Sequence, residues 1–333
     1  MKYRIFAAFI LFVLAMNLGG STFADTKGKK ARMNQLVPML PASDGVIILD
    51  AKRFFSDALP QVLAGNQPML GKVTGYIDSM KSKIGIDIRQ FDEVAIGVSA
   101  RQIAEKKYDV DPVVVARGQM TSASLIGAAK VASNAKYREE RVGDRVMYIF
   151  DEVVALNSPG KVAGSIKEIG LTSLDERTIA FGDPGRVRAT LEAKTKVGAD
   201  LLVMLEKSPT SVATFAIKPP TGLKAFIPME NDELGKSIDS IQYVYGNADV
   251  VADKANIRMT ARTLQNAQAT SLFETMDGLQ KIGSAILGGS KGADKQVYAR
   301  LVSNAKLSVK LNEVTLDLVV PQADLDMLVG MIK

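Results

Sequence analysis

Two Ser-x-x-Lys tetrads, Ser133-Asn134-Ala135-Lys136 and Ser303-Asn304-Ala305-Lys306, are the first residues in this chain whose spacing suggests chemistry. On a helix that spacing sets a lysine beside a nucleophilic serine, as in serine acyl-enzymes. Here each tetrad falls where a helical pattern gives way to a strand pattern, and no Lys-Thr-Gly or Ser-Asp-Asn partner occurs. A helix C-terminus fits better, with Asn134 or Asn304 in the turn and the lysine near the negative end of the helix dipole. The chain has no histidine and no cysteine. Ser-His-Asp and Cys-His sites are therefore excluded, as are thiolate metal sites, disulfides and a lipidated cysteine. Any catalysis would rest on carboxylates, lysine or tyrosine.

The remaining candidates are weaker. Gly283 to Lys291 nearly matches a phosphate-binding loop, but Gly289 stands where the lysine is needed and Gly283 lies inside an amphipathic stripe. Asp109 and Asp111 alternate like calcium ligands, yet no glycine or distal glutamate follows, so they read as a polar turn before a strand at Val113. Asp87, Asp92 and Glu93 read as turn and edge residues at a strand start. A carboxylate pair for glycoside hydrolysis would lack the aromatic platform that tryptophan gives, because the chain has no tryptophan. Arg117 and Arg262 occupy matching places in an internal repeat and are candidates for a symmetric anion site, or an interface, where the halves meet. No cofactor and no metal ligand set is expected.

That repeat organises the chain. The tetrads recur at an offset of 170, each behind a helical pattern and ahead of a hairpin pattern. In the first copy Tyr137–Arg141 turns at Gly143-Asp144 into Val146–Phe150. In the second, Leu307, Val309 and Leu311 alternate up to a turn at Asn312-Glu313, and Val314, Leu316, Leu318 and Val320 alternate after it. Upstream, Val46–Leu49 pairs with Val212–Ile217, and Val113–Arg117 with Ile257–Arg262. Helical stripes fall between them. They are Val73, Ile77, Met80 and Ile84; Leu125, Ile126 and Ala129 behind Ser122 as N-cap; Leu234, Ile238, Ile241 and Tyr245; and Ala269 through Met276 to Ile286, closed by Gly288-Gly289. Thr178–Gly182 reads as a strand, Asp183-Pro184 as a helix start, and Leu201, Leu202 and Leu205 as a short helix, none with a counterpart in the repeat. The predicted fold is α+β: two tandem related units of strand-helix-strand-strand-helix-hairpin order, with helices on one face of a largely antiparallel sheet.

The N-terminus reads as one that directs the chain out of the cytoplasm. Lys2 and Arg4 precede an uncharged apolar run of 14 residues, Ile5 to Leu18, and Thr22 and Ala24 supply small side chains ahead of Asp25. These are the parts of a secretory signal, and the run is shorter than the roughly 20 apolar residues a spanning helix needs. Cleavage is expected between Ala24 and Asp25, with retention as an N-terminal anchor the alternative. The net charge of +6 falls to +4 without Lys2 and Arg4, and +3 of that sits in residues 25–32. The body is near neutral, which argues against nucleic acid. The basic segment reads as a solvated linker that can touch an anionic surface weakly. The expected divisions are a signal at 1–24, a basic linker at 25–37, a first unit at 38–208 and a second at 209–333.

The Pro41–Asp50 opening, Gly85-Ile86-Asp87, the Phe91–Val98 block and Thr178–Asp183 resemble those of a family of uncharacterised exported proteins of environmental bacteria. The resemblance implies a bacterial envelope setting, periplasmic or extracellular, and carries no functional residues with it. The expected function is a non-catalytic binding or interaction protein of the cell envelope, whose partner is an envelope protein or an apolar ligand. One alternative is a carrier or sensor holding an apolar ligand in a cleft between sheet and helices. The other is a histidine-free hydrolase using carboxylates or a Ser/Lys pair.

Overall fold

A computed structural model describes residues 35–104, 107–151, 168–208, 210–220, 232–289 and 292–331. The expected signal, the expected Ala24–Asp25 cleavage site and residues 25–34 of the expected linker lie outside the described residues, as do Pro209 and Lys291.

Twelve strands form one open sheet in which every neighbouring pair is antiparallel. They are β1 (Gly45–Asp50), β2 (Phe91–Ala104), β3 (Lys107–Gly118), β4 (Arg138–Val142), β5 (Arg145–Asp151), β6 (Glu168–Asp175), β7 (Thr178–Gly182), β8 (Ala213–Ile217), β9 (Ile241–Val251), β10 (Lys254–Thr263), β11 (Lys306–Lys310) and β12 (Glu313–Pro321). Their order is β11-β12-β10-β9-β8-β1-β2-β3-β7-β6-β5-β4. The β1–β8 pair stands in the middle, with β1 to β7 on one side and β8 to β12 on the other. In the second unit the hairpin β11–β12 lies directly on β10; in the first, the β6–β7 hairpin is inserted between β3 and β5. Strand β6 is not apparent in the sequence because Gly170, Thr172 and Ser173 blunt its apolar alternation.

Eight helices are used below: α1 (Gln67–Ile84), α2 (Ser122–Ala132), α3 (Pro184–Glu192), α4 (Ala199–Leu205), α5 (Asp232–Asp239), α6 (Asn266–Gly288), α7 (Ala293–Asn304) and α8 (Gln322–Met331). Two of the sequence expectations shift. Thr121, not Ser122, caps α2: its Oγ1 accepts the Ser124 amide, while the Ser122 hydroxyl turns inward and donates to the carbonyls of Asp175 and Thr178. The stripe from Leu234 to Tyr245 is not one helix. α5 ends at Asp239, and Ile241 and Tyr245 belong to β9, because a chance helical spacing of apolar residues spans a helix-to-strand junction.

The α+β class holds, with helices packed on an antiparallel sheet, but they cover both of its faces rather than one. On what we term the front face, Val46, Ala95, Val113, Val115 and Ala216 are fully buried, under Leu36, Val37 and Leu40 of the entering chain, Val187 of α3, and Leu201 and Met204 of α4. The back face carries the helices of the repeat. Leu125 of α2 packs with Ala116, Phe150 and Ile179. Leu272 and Phe273 of α6 pack with Ala261 and Val314, and Leu301 of α7 and Leu325 of α8 with Ala255 and Val320. The segment joining the two units, with no repeat counterpart, occupies the front together with the entering chain.

A buried carboxylate fixes the end of α1. Gly85 closes that helix with φ 72°, and Asp87, 6% exposed, then accepts from the Arg89 side chain through Nε (2.8 Å) and Nη2 (3.0 Å), with Lys81 Nζ at 3.3 Å. The Arg89 guanidinium, followed by its backbone amide and Lys81, holds the carboxyl down at about 2 from an unfolded value of 3.8. The folded value is the lower one. The stabilisation is therefore present above pH 4 and lost as pH falls through about 2. Asp87→Asn is expected to lower stability at neutral pH by about 2 kcal/mol and to flatten the acid limb between those values, measured by urea unfolding across pH.

Candidate functional site

The sequence-derived chemical patterns do not assemble into a reactive site. Ser133 closes α2 with its Oγ donating to the Lys130 carbonyl at 2.9 Å, and Asn134 and Ala135 follow with φ of 52° and 58°. Lys136 is exposed, as are Ser303 near the end of α7 and Lys306 at the start of β11. Gly283 lies within α6, where an added β-carbon would meet Val302 at an ordinary 3.6 Å, and Gly288 and Gly289 at the helix end face open space. Asp109 and Asp111 lie inside β3 rather than in a turn before it, 3.6 and 3.7 Å from Arg101 Nη2.

Arg117 and Arg262 are kept apart. Arg117 on β3 donates to Thr178 Oγ1 and Gln35 Oε1, both at 2.9 Å, with Asp175 at 3.6 Å. Arg262 on β10 reaches Glu313 through Nε (3.0 Å) and Nη2 (2.7 Å). Four strands separate β3 from β10, about 24 Å across the sheet. A two-fold relation through a central antiparallel pair also sends matching residues to opposite strand ends. The expected symmetric anion site is therefore not formed.

The front face carries a polar cluster that sequence reasoning missed, because its members are far apart in the chain. Lys207, just past α4, donates to Tyr245 Oη at 2.5 Å and to Glu313 Oε1 at 3.0 Å. Tyr243 donates to Asp200 Oδ2 at 2.6 Å. Burial pushes the Tyr245 phenol up. For Lys207, burial acts against the charge, but the bonds to Tyr245 and Glu313 outweigh it and raise its pKa. For Glu313, burial would raise the carboxyl, yet the bonds from Lys207, Tyr245 and Arg262 bring it down. At neutral pH the lysine is charged, the phenol protonated and the carboxylate ionised, so none of the three is poised to exchange a proton. The cluster ties α4 to β9 and β12.

The back face offers a different surface. Across the middle of the sheet the register aligns Val114, Ile96, Ile47, Phe215, Gly246 and Met259 in one row. Val98, Ile217 and Val244 lie in the next row. Their front-face neighbours Val46, Ala95, Val113 and Ala216 are 0% exposed, whereas Ile47, Ile96, Val98, Val114, Ile217 and Val244 are only half-buried and Met259 is 36% exposed. α6 extends this surface. Its Thr275 faces Ser237 of α5 at 3.5 Å, and one and two turns along the same flank Leu279 and Ile282 are 40% and 58% exposed. The apolar run of β1 and the alternation Val94, Ile96 and Val98 in β2 are the available signals, and neither says which face stays open.

The fold and surface thus define an α+β protein with one continuous antiparallel sheet and a half-covered apolar back face. No family model and no curated protein matches the chain. Among solved structures it is similar to TP0453. Crystal form III aligns over 91% of this chain and 100% of that one with TM-score 0.46 and 9% identity. Form IV aligns over 88% and 96% with TM-score 0.46 and 9% identity, and form I over 91% and 98% with TM-score 0.43 and 11% identity.

Proposed function

We propose that this is an exported, non-catalytic binding protein of the bacterial cell envelope, and that it takes up an apolar molecule on the back face between α2 and α6. The reading is carried by the asymmetry of the central strands: Val46, Ala95, Val113 and Ala216 are 0% exposed on the front, whereas on the back Ile47, Ile96, Val98, Val114, Ile217 and Val244 stay half-open around a buried Phe215. Covering about 200 Å² of such surface contributes about 5 kcal/mol before the ligand's lost freedom is counted. Addition of a partner strand is less well supported, because the sheet edges are charged. β4 carries Arg138, Glu139, Glu140 and Arg141, and β11 carries Lys306 and Lys310, residues that discourage edge pairing. A hydrolase reading finds little support in the Lys207, Tyr245 and Glu313 cluster, whose protonation states are fixed away from neutrality. Export rests on the pattern of residues 1–24.

Native mass spectrometry of protein purified gently from its own envelope, set against the denatured mass, tests the proposal. The expected result is a denatured mass corresponding to a chain beginning at Asp25 and a native excess of one small apolar molecule that passes into organic solvent. A bare native mass, together with no uptake of a fluorescent fatty-acid probe, would refute apolar binding. A denatured mass that retains residues 1–24 would refute cleavage.

A further inference from the structure

Among the described residues, three hairpins close with a two-residue turn whose first residue has positive φ: Gly143 (63°) between β4 and β5, Ala252 (54°) between β9 and β10, and Leu311 (54°) between β11 and β12. Left-handed φ favours glycine and disfavours a branched, bulky side chain. Leu311 is nonetheless 69% exposed, so neither burial nor backbone conformation calls for leucine. Beside it lies Leu264, 64% exposed. Their chain neighbours are tied together: Thr263 N donates to the Asn312 carbonyl (2.9 Å) and Asn312 Nδ2 to the Thr263 carbonyl (2.8 Å). In the first unit, the residue two beyond Arg117 is the polar Gln119, while two beyond Arg262 is Leu264. The second unit has placed leucine at both positions of this corner.

The charge around the corner is cationic. On the adjoining front face, Arg258 and Arg262 of β10, Lys306 and Lys310 of β11, and Lys207 from beyond α4 meet the acids Glu313 and Asp317 of β12. Arg258 holds Asp317, and Arg262 and Lys207 hold Glu313, which leaves the exposed Lys306 and Lys310 with no acid in ion-pair distance among the described residues. Exposed leucines at a hairpin tip, with lysines along β11 whose cross-strand acids Asp317 and Glu313 are already held by other cations, complement an anionic lipid surface: the leucines enter the acyl boundary and the lysines meet the headgroups. A soluble polyanion would use the lysines and leave the leucines in water.

We propose that the Leu264–Leu311 corner, with Lys306 and Lys310, docks the protein peripherally on an anionic bilayer surface. This goes beyond the back-face reading and is independent of it, since ligand uptake is assayed without vesicles. The test is co-flotation of the mature chain with vesicles of phosphatidylcholine alone or with added phosphatidylglycerol. The wild type is expected to float with the anionic vesicles and not with the neutral ones. Leu264→Ser with Leu311→Gly, a pair that relieves the backbone at 311 and removes no buried group, is expected to weaken partitioning at least about tenfold. Lys306→Ala with Lys310→Ala is expected to weaken it about 25-fold, at about fivefold per lysine, an effect that shrinks as salt is raised. Every variant keeps residues 25–32, so a difference between them reports the corner. The proposal is overturned if the wild type does not bind anionic vesicles. It is equally overturned if the leucine pair can be removed without loss, or if inorganic polyphosphate is bound as tightly as the vesicles with no dependence on the leucines.

Discussion

Gly246→Ala is expected to destabilise the protein by about 3 kcal/mol, the largest single loss anticipated for so small a change. Gly246 lies on β9 opposite Met259 of β10, in the central row of the back face. A β-carbon at this position would stand well inside contact distance of the Arg258 carbonyl oxygen and 3.1 Å from the Met259 α-carbon. Both obstacles are backbone, so no side-chain rotation relieves them. The β9–β10 ladder must shift, and β10 is locked in place by its pairing with β12. The comparison variant is Gly75→Ala on the exposed side of α1, where nothing lies within 4 Å. It is expected to stabilise by about 0.5–1 kcal/mol, through helix propensity. Urea unfolding of both variants reads the contrast. An unchanged midpoint for Gly246→Ala would mean that the two strands slide past one another without cost.

The sequence made the local structure readable and left the long-range arrangement hidden. The stripe from Ala269 to Ile286 predicts α6 almost to its ends, and Asp183-Pro184 marks the start of α3, where Asp183 Oδ1 accepts the Arg186 amide at 2.9 Å. These signals depend on contacts within a turn or two. The turn at Leu311-Asn312 falls one residue before its expected place, because Leu311 continues the apolar alternation of β11 although it stands at the tip. The faces of the sheet were less accessible. Val113, Val114 and Val115 read as one apolar run, which announces burial on both sides without saying that the joining helices α3 and α4 close the front while the back stays half-open. The same holds for the Lys207, Tyr245 and Glu313 cluster, whose outer members lie 106 residues apart. For Arg117 and Arg262 the repeat was a sound guide to equivalence and a poor one to proximity, since the antiparallel β1–β8 pairing that separates them is itself a non-local contact.

Val98→Gln combined with Ile217→Gln is expected to weaken uptake of an apolar probe at least about tenfold while costing less than about 1 kcal/mol of stability. The two side chains converge over Gly45. A β-carbon there would meet Val98 Cγ2 at 2.8 Å and Ile217 Cγ1 at 3.3 Å, and both residues are half-buried on the back face. Removing about 100 Å² of apolar contact from a bound molecule loses about 2.5 kcal/mol, more than enough for a tenfold change. Stability is less affected because each glutamine amide can still reach water. Val46→Gln supplies the contrast. Val46 lies in the same strand as Gly45 but points to the front, is 0% exposed and would bury an amide without a partner, so it is expected to destabilise by about 3 kcal/mol. Fluorescent fatty-acid titration and urea unfolding of the two variants separate binding from folding. If the back-face pair loses no uptake while remaining folded, the ligand does not sit on this face. If Val46→Gln leaves the unfolding midpoint unchanged, the front face is not the closed core that makes the open back informative.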